Sequence, residues 1–137
     1  SALEVCRKNI KDNKLTSRII PMNADATTWP PMSIGSFDVI VSNPPYIPSF
    51  ELIELDCSVR DYEPMTALDG GEDGYDFYRE IVSRWSRKLK KGGALAFELG
   101  EGQADAVKAL MTDKGFSDFK ISLDFGGVQR AIIGTLL

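Results

Sequence analysis

The run Phe37-Asp38-Val39-Ile40-Val41-Ser42, followed at once by Asn43-Pro44-Pro45-Tyr46-Ile47-Pro48, constrains the fold more than any other stretch of the chain. A short, apolar, β-branched run suits a buried parallel strand. Prolines cannot donate to a ladder, so that strand must end at Ser42 and pass into a rigid loop. The flanking segments are read around it. Residues 1–13 form an amphipathic helix with Leu3, Cys6 and Ile10 inward and no N-terminal cap. Residues 15–22, with Ile19 and Ile20, read as a short strand ending in the polar loop Asn23-Ala24-Asp25-Ala26-Thr27, and residues up to 36 are a connector. Residues 76–91 carry the stripe Phe77, Ile81, Val82, Trp85 and Leu89, which predicts a helix stopped by Gly92-Gly93. A buried strand over 94–99, a helix over 103–114 with Val107, Leu110 and Met111 inward, and a strand over 116–123 follow. Gly126-Gly127 turns the chain into residues 128–136, an antiparallel hairpin. The alternation predicts an α/β protein with a mostly parallel sheet closed by that hairpin. Ligands of such sheets gather at the carboxyl ends of strands, where the loops 23–27 and 43–46 lie.

Composition narrows the chemistry. A chain of 137 residues, 43% hydrophobic and 26% charged, is sized for one domain with one core. No apolar run approaches the roughly 18 residues that cross a bilayer, and the first residues lack the order of a signal peptide, so neither a membrane nor an export route is expected. A net charge of −4 offers no general attraction to a phosphate backbone, so direct nucleic-acid binding is not expected. Cys6 and Cys57 have no metal or redox spacing and read as reduced, partly buried thiols of a cytoplasmic protein. The chain has no histidine, which excludes Ser-His-Asp and Cys-His machinery and leaves positioning, carboxylates or a cofactor; no metal site is expected.

Asn-Pro-Pro-Tyr at a strand end suits catalysis by orientation. The prolines fix the backbone and leave the Asn43 side chain and the Pro44 carbonyl as acceptors without competing backbone donors. Two such acceptors would grip both hydrogens of an NH2 group and turn its delocalised lone pair toward an electrophile. Tyr46 would stack on the planar group and favour the positive charge growing on nitrogen, an effect of about 0.5 to 2 kcal/mol. The same residues also allow a plainer reading, in which Asn43 caps a turn and the prolines only end a strand.

The flanks favour the chemical reading. The segment from Phe37 to Pro48 resembles the fourth-strand motif of amino-methyltransferases that use S-adenosylmethionine. Val59-Arg60-Asp61-Tyr62-Glu63-Pro64, Ala67-Leu68-Asp69-Gly70-Gly71-Glu72-Asp73-Gly74 and Asp76-Phe77-Tyr78-Arg79 are similar to one family within that group, the HemK/PrmC protein-(glutamine-N5) methyltransferases. Lys91-Gly92-Gly93, Phe97-Glu98-Leu99-Gly100 and Arg130 continue the resemblance. It implies a Rossmann-like fold and methyl transfer to the glutamine of the Gly-Gly-Gln motif in peptide chain release factors, which would be the protein partners. It further implies that Asn43, Pro44, Pro45 and Tyr46 hold the substrate, with Asn43, Pro44 and Tyr46 catalytic. Asp25, Ala26 and Asn43 would border S-adenosylmethionine. By turn chemistry alone, Asp25 and Ala26 also read as a polar loop. The segment 49–73 is expected to face the substrate, with Glu51, Glu54, Asp56, Asp61 and Glu63 forming an acidic face.

The family's glycine-rich cofactor loop and the acidic residue after its second strand would both precede Ser1. The resemblance thus implies a partial methyltransferase catalytic domain over residues 1–137, lacking the first two strands and binding cofactor weakly or not at all. In the family's sheet order, 3-2-1-4-5-7-6, those strands separate Ile19-Ile20 from Val39-Ile40-Val41, a gap of roughly 14 Å. Direct pairing of the two segments, or strands from elsewhere, is then expected, and an open gap would count against aligning residues 1–25 with the family. Two alternatives remain on sequence grounds: a nucleic-acid amino-methyltransferase that grips adenine or guanine through Asn43, and a non-catalytic binding fragment.

Overall fold

The computed structural model describes residues 1–54 and 64–137. Cys57 and the segment quoted from Val59 to Glu63 lie outside the described residues, as do Asp56 and Asp61. Helix α1 spans Ala2–Asp12, β1 Phe37–Ser42, α2 Asp76–Arg84, β2 Leu89–Glu98, α3 Ala104–Asp113, β3 Phe116–Leu123 and β4 Gln129–Leu136. The four strands form one sheet in the order β1-β2-β4-β3. β1 and β2 are parallel, and β4 is antiparallel to both β2 and β3. The expected C-terminal hairpin is present. Among the described strands β1, β2 and β3 thus run the same way and β4 alone is reversed, while residues 15–22 form no strand and Ile20 is exposed.

One face of the sheet carries the core. Leu95, Phe97 and Ile132 point into it and are covered by Tyr78, Ile81 and Val82 of α2 and by Val107 and Met111 of α3. Full burial of each such side chain is worth about 1.5 to 3 kcal/mol. On the opposite face Val39, Val41 and Ile133 are exposed. β1 is therefore parallel, as its sequence predicts, but it is an edge strand and not a buried one. The expected direct pairing of residues 15–22 with β1 does not occur: among the described residues nothing pairs with the outer edge of β1.

Three local readings need correction. Ser1 does cap α1: its hydroxyl accepts from the Glu4 N–H while the Glu4 carboxylate reaches back to the N-terminus, a capping box. Within α1 only Ile10 is buried, and Cys6 is exposed, since no sheet face is packed over that side of the helix. The third concerns residues 85–93. The α-helix ends at Arg84, a 3-10 turn occupies Trp85–Lys88, and Leu89 already pairs with Phe37. From Leu89 to Ala94 strand β2 advances five residues while β1 advances two, from Phe37 to Val39. Lys90-Lys91-Gly92-Gly93 is thus a bulge, not a helix stop. A side chain on Gly93 would sit 2.8 Å from the Lys90 carbonyl oxygen, and Lys90 Nζ is held 2.8 Å from Asp38 Oδ1.

Candidate active site

The site begins where β1 ends. Ser42 pairs with Phe97 of β2, and the next residues leave the sheet at its carboxyl edge. Asn43 is exposed, Pro44 is buried, and Pro45, Tyr46, Ile47 and Pro48 are half-buried. The loop is pinned immediately beyond the prolines. Ile47 N–H donates to Leu68 O at 3.1 Å, and Gly70 N–H donates to Ile47 O at 2.8 Å, making a one-residue parallel bridge. Ser49 hydroxyl donates to Asp69 Oδ1 at 2.7 Å, and that oxygen also accepts from Gly71 N–H at 3.0 Å. These bonds hold the Asp69 carboxyl below its ordinary range, the Ser49 hydroxyl contributing most.

The glycines of residues 70–74 are required by this approach. A Cβ on Gly70 would lie 2.7 Å from Tyr46 Cα, and one on Gly74, at φ +81°, would lie 2.5 Å from Tyr46 O. Only glycine allows the backbones so close. Asp73 is then anchored by Arg79, whose Nη1 lies 2.9 Å from Asp73 Oδ1, and the pair lowers the Asp73 carboxyl's pKa. Leu68, Gly70 and Gly74 therefore pack beside the Asn-Pro-Pro-Tyr loop, and Glu51 and Glu54 are exposed.

A cavity of about 230 Å³ opens at this loop, bounded by residues 43–47, Ala67, Leu68 and Glu98. All four Asn-Pro-Pro-Tyr residues thus line one space. No described residue hydrogen-bonds the Asn43 side chain. Tyr46 donates from its hydroxyl to Glu98 Oε1 at 3.4 Å. Burial first, then the Glu98 carboxylate, raise the Tyr46 phenol above its ordinary range, opposed by the Arg130 guanidinium. Tyr46 is therefore a neutral ring at neutral pH. Asn43 and Glu98 also line a second, more open cavity with Asp124 and Arg130, where Arg130 Nε is 3.0 Å from Asp124 Oδ2.

Asp25 and Ala26 are not brought to this place. They line neither cavity at Asn43. Asp25 Oδ1 accepts from the Thr27 hydroxyl at 2.7 Å and the Thr27 N–H at 2.8 Å, closing a turn on itself, and these bonds lower its pKa. Ala26 packs against the core, and Trp85 Nε1 ties the next residues down by donating to Thr28 O at 3.1 Å. Two residues at the site had no role assigned from sequence. Glu98 belongs to a quoted motif and ends β2, so the carboxyl-end rule points to it. Gln103, buried at the start of α3, follows Gly100-Glu101-Gly102, and its neighbours come from distant parts of the chain.

No family model matches the sequence. Individual relatives do. A release factor glutamine methyltransferase of Clostridium acetobutylicum is 39% identical over 96% of this chain and 46% of its own length. The sequence matches that group along nearly its whole length. The namesake protein of Geobacter sulfurreducens is 45% identical over 82% of the chain and 39% of its own. The chain spans about half the length, or less, of the curated relatives it matches. A match over 132 of 137 residues includes nearly all of residues 1–25, so the missing strand at 15–22 is a matter of pairing and not of correspondence. Among solved structures, a methyltransferase from Pyrococcus furiosus superposes with a TM-score of 0.60 at 21% identity, covering 97% of this chain and 56% of that one. The fold is accordingly the α/β, Rossmann-like fold of S-adenosylmethionine-dependent methyltransferases.

For that cofactor the fit is partial. A methyl donor beside Asn43 would meet a space lined by Pro44, Pro45 and the neutral Tyr46 ring, whereas Asp25 and Ala26 line neither cavity there.

Proposed function

We propose that the chain is part of an enzyme catalytic domain, covering residues 1–137 of it, that methylates the side-chain amide nitrogen of a protein glutamine. The acceptor would be the glutamine of the Gly-Gly-Gln motif in peptide chain release factors, and the site of action the cytoplasm, where those factors work. Among the described residues no helix is long and apolar enough to cross a membrane. The observation that carries the reading is the convergence of Asn43, Pro44, Pro45 and Tyr46 on one cavity at the end of a parallel strand.

Asn43 Oδ1 and the Pro44 carbonyl would each accept one N–H of the glutamine amide. That grip holds the NH2 group with its lone pair turned out of conjugation, at the expense of amide resonance that the two bonds offset in the transition state. Tyr46, neutral and half-buried, would lie against the amide plane and stabilise the nitrogen as it becomes positive. When bound, S-adenosylmethionine supplies an electrophilic methyl group. The acidic residues Glu51 and Glu54 would meet a basic surface around the acceptor loop.

The test is transfer of a labelled methyl group from S-adenosylmethionine to a purified release factor by the natural full-length protein. Label is expected on the factor with Gly-Gly-Gln and absent from a variant with that glutamine replaced. Equal labelling of both, or of duplex DNA in place of protein, would overturn the proposal.

A further inference from the structure

The geometry points to Gln103 as a positioning residue that sets where Asn43 and the Pro44 carbonyl stand; this deepens the proposed function and rests on it. Gln103 is 6% exposed, and a buried amide costs free energy unless its two lone pairs and two N–H groups are all used. All are used. Its Oε1 accepts from Gly100 N–H at 3.0 Å and lies 3.1 Å from the Tyr78 hydroxyl, which also reaches Glu98 O at 2.9 Å. Its Nε2 donates to Tyr46 O at 3.0 Å and toward Gly74 O at 3.4 Å. One side chain thus joins the turn after β2, helix α2, the glycine-rich segment and the Asn-Pro-Pro-Tyr loop.

The consequence follows from how little chain lies between fixed points. Ser42 is held by its pairing with Phe97, and Tyr46 is held by Gln103. Only Asn43, Pro44 and Pro45 lie between, and two of the three have φ locked by their rings. Both anchors belong to the continuous piece that runs from the end of β2 into α3. Moving the Tyr46 carbonyl therefore moves the Pro44 carbonyl and the Asn43 amide, since two of the six intervening torsions are locked by the rings and Asn43 and Pro44, each preceding a proline, are confined to extended backbone. Gln103 lines no cavity with Asn43, so it acts through Tyr46.

The experiment uses the natural full-length protein with Gln103→Glu and, as a gentler change that keeps the core shape, Tyr78→Phe. Gln103→Glu sets a carboxylate against the Tyr46 and Gly74 carbonyls. A displaced acceptor pair costs turnover more than binding, so kcat is expected to fall roughly 10- to 100-fold with the acceptor KM within a few-fold of wild type. The deficit should narrow as pH is lowered, because a protonated carboxyl regains a donor toward Tyr46 O. Tyr78→Phe is expected to lower kcat about threefold. In both variants the side-chain NH2 resonances of Asn43 should shift in a nitrogen–proton correlation spectrum. A folded Gln103→Glu protein with unchanged kcat, a loss confined to KM, or unshifted Asn43 resonances would overturn the inference. If Gln103→Glu does not fold, Tyr78→Phe decides by the same readings. If wild type methylates no glutamine, the proposed function fails, while the Asn43 resonances still decide whether Gln103 positions the loop.

Discussion

Residues 1–36 and residues 64–137 contain the same kinds of apolar side chain, yet they use them differently. In the first region α1 buries only Ile10, while Val5, Ile20 and Met32 are 59%, 87% and 94% exposed. In the second, α2 and α3 lie on β2 and β4 and enclose Tyr78, Leu95, Phe97, Leu99, Val107 and Met111 almost completely. Amphipathic pattern creates a face, but only a second layer turns that face into core. The candidate site is pinned by the better-packed region: the partners that hold Tyr46 and Ile47 all come from residues 64–137, and Asp25 lines neither cavity there.

Substitutions should separate the two regions. The largest effect on stability is expected from Phe97→Ala, about 3 to 5 kcal/mol by denaturant unfolding, because the ring is fully enclosed. In the 137-residue chain Ile20→Ala should stay within about 0.5 kcal/mol, and a comparable loss at both positions would break the comparison. Next, Asn43→Ala in the natural full-length protein should raise the barrier to methyl transfer by about 3 to 4 kcal/mol, far more than it weakens cofactor binding, with the unfolding midpoint nearly unchanged. Turnover close to wild type would remove Asn43 from the chemistry. Gly70→Ala is expected to cost about 1 to 3 kcal/mol of stability, since its methyl group would meet the Tyr46 backbone and not a yielding side-chain tip. Measured alongside, methyl transfer should fall further than stability alone explains.

The smallest expected effect is in acid. The Asp69 and Asp73 carboxyls have pKa values lowered from the ordinary 3.8, by Ser49 and Gly71 in one case and by Arg79 in the other. A lowered carboxyl contributes stability in full above its ordinary value and loses it as pH falls through the lowered one. Amide resonances of Ser49 and Gly71 should therefore shift below pH 3.8, with those of the core strands steady. Asp25, lowered by Thr27, should titrate in the same window without any consequence for Tyr46. Coupled shifts at Asp25 and Tyr46 would join the two regions after all.

Where local pattern and tertiary setting agree, the sequence was sufficient. β1 ends at Ser42 because prolines follow, β3 starts after the Gly115 turn, and the Gly126-Gly127 hairpin is held by Asp124, which accepts from Gly126 and Val128 N–H. The spacing of Leu89 from Trp85 fits a helical face as well as the start of a strand, and the tight turn at Trp85–Lys88 is what separates the two. Ile19 and Ile20 have strand propensity and no strand, since a ladder needs a partner that propensity cannot supply. At the site, Asn-Pro-Pro-Tyr was legible as one loop because its residues are consecutive. Gln103 was not, because its role exists only through groups 3, 25, 29 and 57 residues away.

The placement of Trp29 and Trp85 decides what light can report about this molecule. They are its two tryptophans, and they occupy the same corner: the Trp29 ring is faced by the guanidinium groups of Arg84 and Arg87 at 5.5 and 4.8 Å, and the Trp85 indole is bonded to Thr28. Intrinsic tryptophan emission therefore watches residues 28–32 detach from the end of α2. Neither tryptophan lines the cavities at Asn43, where the aromatic group is a tyrosine, so a ligand filling that space would touch no indole.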